Sequence, residues 1–176
     1  MNRDTPACRR MIDVLNGITD DQLAGATPCD DFTVADLLGH VNTSAVRLGA
    51  PARREAADEP GDSSRELIGR HVRAPATAWQ EPSAWQGTAD VGIELTNEAW
   101  GRIALTEMVV HGWDLATATG QPFELPELTL QAVWEYLTEF LPALPEPVRA
   151  SWGVVVPVPP DAPLLDRVVG LAGRKP

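Results

Sequence analysis

Two cysteines, three histidines and few basic residues set the first limits on this 176-residue chain. Cys8 and Cys29 form no C-x-x-C pair and no disulfide framework, which excludes a cysteine-stapled secreted domain and suits a reducing cytosol. Lys+Arg total 14 against 25 for Asp+Glu, a net charge of −11. Such a surface repels phosphate backbones and anionic lipid, so neither nucleic acid nor a membrane is an expected partner. The opening Met-Asn-Arg-Asp-Thr-Pro lacks the apolar stretch of a secretory signal, and no run approaches the ~18 residues of a membrane helix. A cytoplasmic protein is the expectation. No internal repeat and no convincing sheet pattern are present. What remains is ordinary globular material, 44% hydrophobic and 22% charged. A chain of this length buries roughly 70% of its unfolded surface and needs no metal merely to fold. Residues 1–176 are expected to form one domain.

Helical periodicity dominates the pattern. From about Pro6 to Ile18, Ala7, Met11, Val14, Leu15 and Ile18 recur at steps of three and four, marking one helix face. Thr27 to Asp31 connects to a second helix beginning near Val34, where Thr33 and Asp36 form a capping-box variant. Its stripe of Val34, Leu37, Leu38, Val41, Ala45 and Leu48 predicts an end near Gly49-Ala50-Pro51. The charged, Gly/Pro-punctuated stretch from Pro51 to Ser64 reads as a mobile surface loop. A third helix is predicted over Arg65–Trp79, kinked or ended by Pro75, followed by a loop from Glu81 to Gly92. A fourth runs from Ile93 to about Ala118, stopped by Gly120 and Pro122. A fifth spans Pro126 to about Leu141, with Leu130, Val133, Trp134, Leu137 and Phe140 apolar. Gly153 to Val158 is too short and Pro-interrupted for more than an extended segment or edge strand. A last short helix covers Asp161 to Leu171, ended by Gly173. The simplest architecture is an all-α, antiparallel four-helix bundle with an added short C-terminal helix and extended segment.

Any imidazole chemistry must come from His40, His71 and His111. Glu107 and His111 are four apart, which puts both side chains on one face of the fourth helix. Asp114, Trp100 and Ile103 share that face. A carboxylate and an imidazole stacked inside a bundle can ligate a metal, or make a simple hydrogen bond one turn apart. His40 sits at the edge of the second helix's apolar stripe, where a lone histidine reads as a half-buried core residue. His71, between Arg70 and Arg73, reads as exposed and outside any ligand set.

Read together, these pieces resemble a known family. Thr27-Pro28-Cys29-Asp30-Asp31-Phe32-Thr33-Val34-Ala35-Asp36-Leu37-Leu38-Gly39-His40 is similar to the T-P-C-x-x-[WF]-T-V-x-D-L-L-x-H segment of the mycothiol-dependent maleylpyruvate isomerase N-terminal family, one of the DinB-like helical bundles. Glu107-Met108-Val109-Val110-His111-Gly112-Trp113-Asp114-Leu115-Ala116 is similar to its E-x-x-x-H-G-W-D-L-A segment. The tail matches as well, through Val156-Pro157-Val158-Pro159, Asp161-Ala162-Pro163, Asp166-Arg167 and Gly173-Arg174-Lys175-Pro176. The resemblance implies a divalent metal held by His40, Glu107 and His111, with zinc ahead of nickel, iron or another ion. Two imidazoles and one carboxylate leave an open coordination position, and Asp114 either accepts the second N–H of His111 or bonds solvent or an arginine. Cys29 belongs to the motif but reads as a small buried residue rather than a nucleophile. Trp113 and Trp134 read as packing, and Trp100 and Ile103 as part of an apolar pocket wall.

Three readings of function follow. A low-molecular-weight thiol of the mycothiol type, together with a small electrophilic substrate, makes the chain a transferase or isomerase. Bound hydroxide without a thiol makes it a hydrolase. A closed metal makes it a non-catalytic binding module. Structural zinc is usually closed by four protein ligands, so the open position favours the first two. The isomerase itself carries a further C-terminal domain, and isomerisation of maleylpyruvate is therefore not the expected reaction. No residue is assigned a catalytic role from sequence.

Overall fold

The computed structural model describes residues 4–29, 32–56, 60 and 64–176. Among them, four long helices make the core: α1 (Asp4–Gly17), α2 (Val34–Arg53), α3 (Arg65–Ala78) and α4 (Asn97–Ala118). Each of α1 and α2 packs on both α3 and α4, so α1 and α2 lie diagonally across the bundle. Asn97 at the start of α4 donates to the carbonyl of Pro51 near the end of α2, while His40 and Glu107 meet farther along. Helices α2 and α4 therefore run antiparallel. Arg65 at the start of α3 pairs with Asp20 just past α1, which makes α1 and α3 the other antiparallel pair. The fold is all-α, as its periodicity predicts, and DinB-like, as the family resemblance implies.

Helix boundaries follow local chemistry. Thr33 caps α2: its hydroxyl accepts from the Asp36 N–H, and the Asp36 carboxylate returns the bond to the Thr33 N–H. The expected stop at Gly49-Ala50-Pro51 does not occur, and α2 continues to Arg53 before Arg54 turns left-handed at φ 57°. Pro75 likewise sits inside α3 without ending it. The two irregularities are coupled, because a Cβ at Gly49 would meet Pro75 Cβ at 2.8 Å. Close packing of α2 on α3 outweighs the lost backbone bonds. The loop expected between Pro51 and Ser64 falls partly on residues 57–59 and 61–63, outside the described residues, as do 30–31 of the first connection.

The largest correction concerns the start of the fourth helix. Residues 93–96 are not helical. Thr88–Asp90 (β1) and Glu94–Thr96 (β2) pair as an antiparallel hairpin, with Ala89 opposite Leu95. Gly92 at φ 100° makes the turn, and its N–H bonds the Asp90 carboxylate at 2.8 Å. Thr96 then caps α4 by accepting from Ala99 N–H. Trp100, expected on a pocket wall, instead donates its indole N–H to Ala89 and packs beneath this hairpin, and Ile103 is buried core.

The fifth predicted helix is helical throughout but changes geometry. It comprises α5 (Glu127–Glu135), a wide π turn over Tyr136–Phe140 and a tight 3-10 turn over Leu141–Ala143. A short α6 (Glu146–Ala150) follows, which periodicity did not foresee. Gly153 to Val158 is extended, with Val156 N–H bonded to the Gly170 carbonyl. The last helix, α7 (Leu164–Leu171), starts after Pro163 rather than at Asp161. No helix of the described residues is long and apolar enough to cross a membrane.

Candidate metal centre

Helix α4 is buried on nearly every side, because α1, α2, α5, the hairpin and the π turn all pack on it. Polar groups on its α2-facing side are therefore removed from water and must find partners. They find one another. Glu107 Oε2 lies 3.0 Å from His40 Nε2 and 3.4 Å from His111 Nε2. These ligand atoms all fall within 4.8 Å of one another. Two ligands bound at about 2.1 Å around a tetrahedral ion stand roughly 3.4 Å apart, so the observed spacings suit an ion at their common centre. Side-chain exposure is 35% for His40, 13% for Glu107 and 6% for His111, so the set opens to solvent on the His40 side.

The surroundings hold each group in place. Ser44, one turn after His40, donates to Glu107 Oε2 at 3.1 Å. Phe32 packs its ring 5.8 Å from that of His40. On the other face of His111, Asp114 accepts from Nδ1 at 3.0 Å, which leaves Nε2 free to face Glu107 and His40. Asp114 is fully buried and is gripped by Arg174, whose Nη2 and Nε reach its carboxylate at 3.0 and 3.2 Å. Arg174 Nη1 also donates to the Ala172 carbonyl at 2.6 Å.

Local sequence explains why a residue so near the chain's end is buried. Gly173 adopts φ 85° at the end of α7, and a Cβ there would sit 2.7 Å from Gly153 Cα. Only glycine satisfies both the turn and the contact. Arg174 N–H then bonds the Val169 carbonyl, and the side chain swings inward.

The network sets the protonation states of the metal-free protein. Burial alone pushes Glu107 up, but the charge of His111 and hydrogen bonds from both histidines outweigh it and hold the carboxyl well below its usual range. Burial likewise pushes His111 down, yet Glu107 and Asp114 outweigh it and raise the imidazole to about 9. The protonated His111 therefore stabilises the metal-free fold fully below its ordinary value of 6.5, and that contribution is lost as pH rises to about 9. Glu107 acts in the opposite sense, contributing above its ordinary 4.5 and losing it in acid. Chelated protein is expected to be less stable at pH 9 than at pH 6 by on the order of a few kcal/mol, and so to melt at a lower temperature. A flat profile, or the same slope in His111→Ala, contradicts this assignment.

Of the residues singled out from sequence, His40, Glu107, His111 and Asp114 come together. His71 does not. It is half-buried rather than exposed, bonded through Nδ1 to Asn42 Oδ1 at 2.7 Å between α2 and α3. Cys29 is half-buried and forms a second compact group with His111 and Asp114. The carboxylate of Asp114 already serves His111 and the guanidinium of Arg174, so an ion in that group would face a fixed cation. The set of His40, Glu107 and His111 suits a metal better. Trp134 packs under the Arg167 guanidinium, 4.3 Å from its ring centre. The roles of Ser44 and Arg174 are not legible in the sequence, although Ser44 stands four residues after His40 and Arg174 lies in the matched tail. A small apolar cavity of about 20 Å³ lies beyond Ser44, among Leu48, Val72, Trp79, Leu105 and Met108, too small for a substrate.

Fold and side-chain set together define a helical bundle with a candidate metal site between α2 and α4. Residues 5–116 match the model of the mycothiol maleylpyruvate isomerase N-terminal domain, and the chain belongs to that family. The match ends just beyond Asp114, so Tyr136, Trp152 and Arg174 lie outside it. Two uncharacterized proteins of Mycobacterium tuberculosis, from strains CDC 1551 / Oshkosh and ATCC 25618 / H37Rv, are each 28% identical to it over 166 residues. The alignments cover 92% of this chain and 90% of those proteins. No solved structure matches significantly.

Proposed function

We propose that the protein is a divalent-metal enzyme that presents a low-molecular-weight thiol of the mycothiol type to a small electrophile, as a transferase or an isomerase. The observation that carries the reading is the convergence of His40, Glu107 and His111 on one point with a solvent-facing side. Three protein donors rather than four favour a working site over a closed structural one. Two imidazoles and a carboxylate suit zinc first, with nickel or iron as alternatives. The family's mycothiol association supports a thiol over water as the incoming group. Cys8 and Cys29 as thiols rather than a disulfide fit work in the reducing cytosol, and the pairing of Arg174 with Asp114 supports reading residues 1–176 as one domain.

A bound divalent ion supplies the charge that deprotonates a thiol, whose free pKa is about 8.5, and so gives a nucleophile at neutral pH. The remaining work falls to the chain. His40 and His111 direct Nε2 lone pairs inward, and Glu107 offsets one unit of positive charge. Asp114 fixes the tautomer and orientation of His111, and Arg174 holds the Asp114 carboxylate in place. With Asp114 and Arg174 cancelling, a dication with Glu107 retains one net positive charge, which suits a single incoming anion such as a thiolate.

Calorimetric titration tests the reading. Metal-loaded protein is expected to bind mycothiol, and binding is expected to vanish after chelation and with the alcohol analogue of the thiol. Absence of thiol binding at millimolar concentration, with exchangeable metal present, overturns the thiol-dependent reading.

A further inference from the structure

Two buried hydrogen-bond donors, one of them near Glu107, lack a fully formed hydrogen bond. Tyr136 is 1% exposed and Trp152 7% exposed, and neither the phenol oxygen nor the indole N–H has a full hydrogen bond among the described residues. Their rings stand edge to face with centroids 6.3 Å apart. The Trp152 indole N–H is near enough to the phenol to act against the rise in its pKa, but without the geometry of a full bond. Buried polar groups are almost always paired, so two orphans side by side call for a partner that the chain itself does not supply.

Their position suggests what that partner is. Tyr136 opens the π turn that packs on α4, and the Arg102 guanidinium of α4 stacks 3.8 Å from the ring centre of Phe140 at the turn's other end. A π turn re-aims side chains relative to a regular helix and recurs at functional sites. Burial chiefly, with the Glu107 carboxylate adding to it, pushes the phenol up to about 12. The phenol is thus neutral at working pH and close enough to feel a candidate metal ligand. An indole N–H can only donate, and a neutral phenol has one O–H to give. Such a pair welcomes an acceptor oxygen and offers little to an amine or a cation.

We propose that Tyr136 and Trp152 form an oxygen-binding subsite beside the metal centre, which takes a carbonyl or carboxylate oxygen of the electrophilic substrate. The proposal rests on the metal-site reading above and adds a division of labour to it. A thiol would approach a bound ion from the solvent-facing His40 side, and the donor pair would orient the substrate through an oxygen. Substrates without such an oxygen are disfavoured, because the two donors would stay unpaired.

The test uses the full chain loaded with cobalt(II) and titrated with acetate, the simplest carboxylate, followed by the cobalt spectrum and tryptophan fluorescence. Tyr136→Phe is expected to weaken acetate binding about tenfold or more, the effect of removing one hydrogen bond to a charged group. Cobalt uptake and 2-mercaptoethanol binding should stay unchanged. Trp152→Phe keeps an aromatic ring, removes the N–H and is expected to weaken acetate similarly. The melting temperature of metal-free Tyr136→Phe should be unchanged or higher, because the lost hydroxyl had no partner. Equal acetate affinity in wild type and both variants, with cobalt bound, overturns the subsite alone. So does a lower melting temperature with unchanged acetate affinity, which marks a structural hydroxyl. Failure of the wild-type chain to take up cobalt overturns the metal reading, and the subsite with it.

Discussion

Replacing His111 by Ala is expected to strip most of the divalent ion from the purified protein while leaving the helical bundle folded. His111 supplies one of three converging donor atoms. Loss of an outer partner of a metal ligand typically costs 10–100-fold in affinity, so loss of the ligand itself should exceed about 100-fold. The fold should survive because the largest buried side chains, among them Met11, Leu15, Leu37, Ile68 and Leu115, do not depend on the site. Asp114 also keeps its partner Arg174 in the variant. A cost of roughly 1–3 kcal/mol set against a stability of about 5–15 kcal/mol leaves a folded protein. Metal analysis and far-ultraviolet circular dichroism read the two halves of the result. His111 also belongs to the group with Cys29 and Asp114, so its loss alone does not separate the two sets. His40→Ala and Cys29→Ser do. Metal lost in the first and kept in the second assigns the ion to His40, Glu107 and His111, and the reverse pattern moves it to the cysteine.

The parts of this site that could be read from sequence were those held by one helix or one motif. Glu107 and His111 are four apart on α4, and helical geometry alone puts them on one face. Nothing periodic connects them to His40, sixty-seven residues before Glu107, and that link came from the resemblance of the two histidine segments to a single family. Asp114 is ambiguous in the sequence because its role depends on Arg174, sixty residues away. The usable signal was Gly173, a left-handed stop that turns the next residue back toward the bundle. Helix bodies were legible because apolar residues recur at 3.6, but their ends depended on packing. Pro51 and Pro75 failed to stop α2 and α3 because Gly49 lets those helices touch. Ile93 and Leu95 fit a helix or a strand equally well, and Gly92 with Thr96 decided for the hairpin. The orphan donors Tyr136 and Trp152 carry no sequence signal, since absence of a partner exists only in three dimensions.

Arg174→Met is expected to be the most destabilising single change at the site. The substitution leaves the carboxylate of Asp114, which has no exposed surface, with His111 as its sole side-chain partner among the described residues. Removing one member of a buried ion pair costs about 3–5 kcal/mol, chiefly through the charge left behind. For a chain of this length each kcal/mol lowers the melting temperature by about 2–4 °C, so a fall of roughly 10 °C is expected. The double variant Asp114→Leu, Arg174→Met should recover much of that loss, because an apolar pair of similar volume can replace a buried ion pair at little cost. Metal affinity should not recover with it. Without Asp114 the Nδ1–H of His111 has no acceptor, its tautomer and ring orientation are no longer held, and affinity should remain 10–100-fold below wild type. Thermal melts and metal titration of both variants therefore separate the two roles of the pair. Recovery of both stability and affinity in the double variant shows that Asp114 does not orient His111. An unchanged melting temperature in Arg174→Met shows that the arginine leaves its buried position in solution, and the grip on Asp114 must then come from elsewhere.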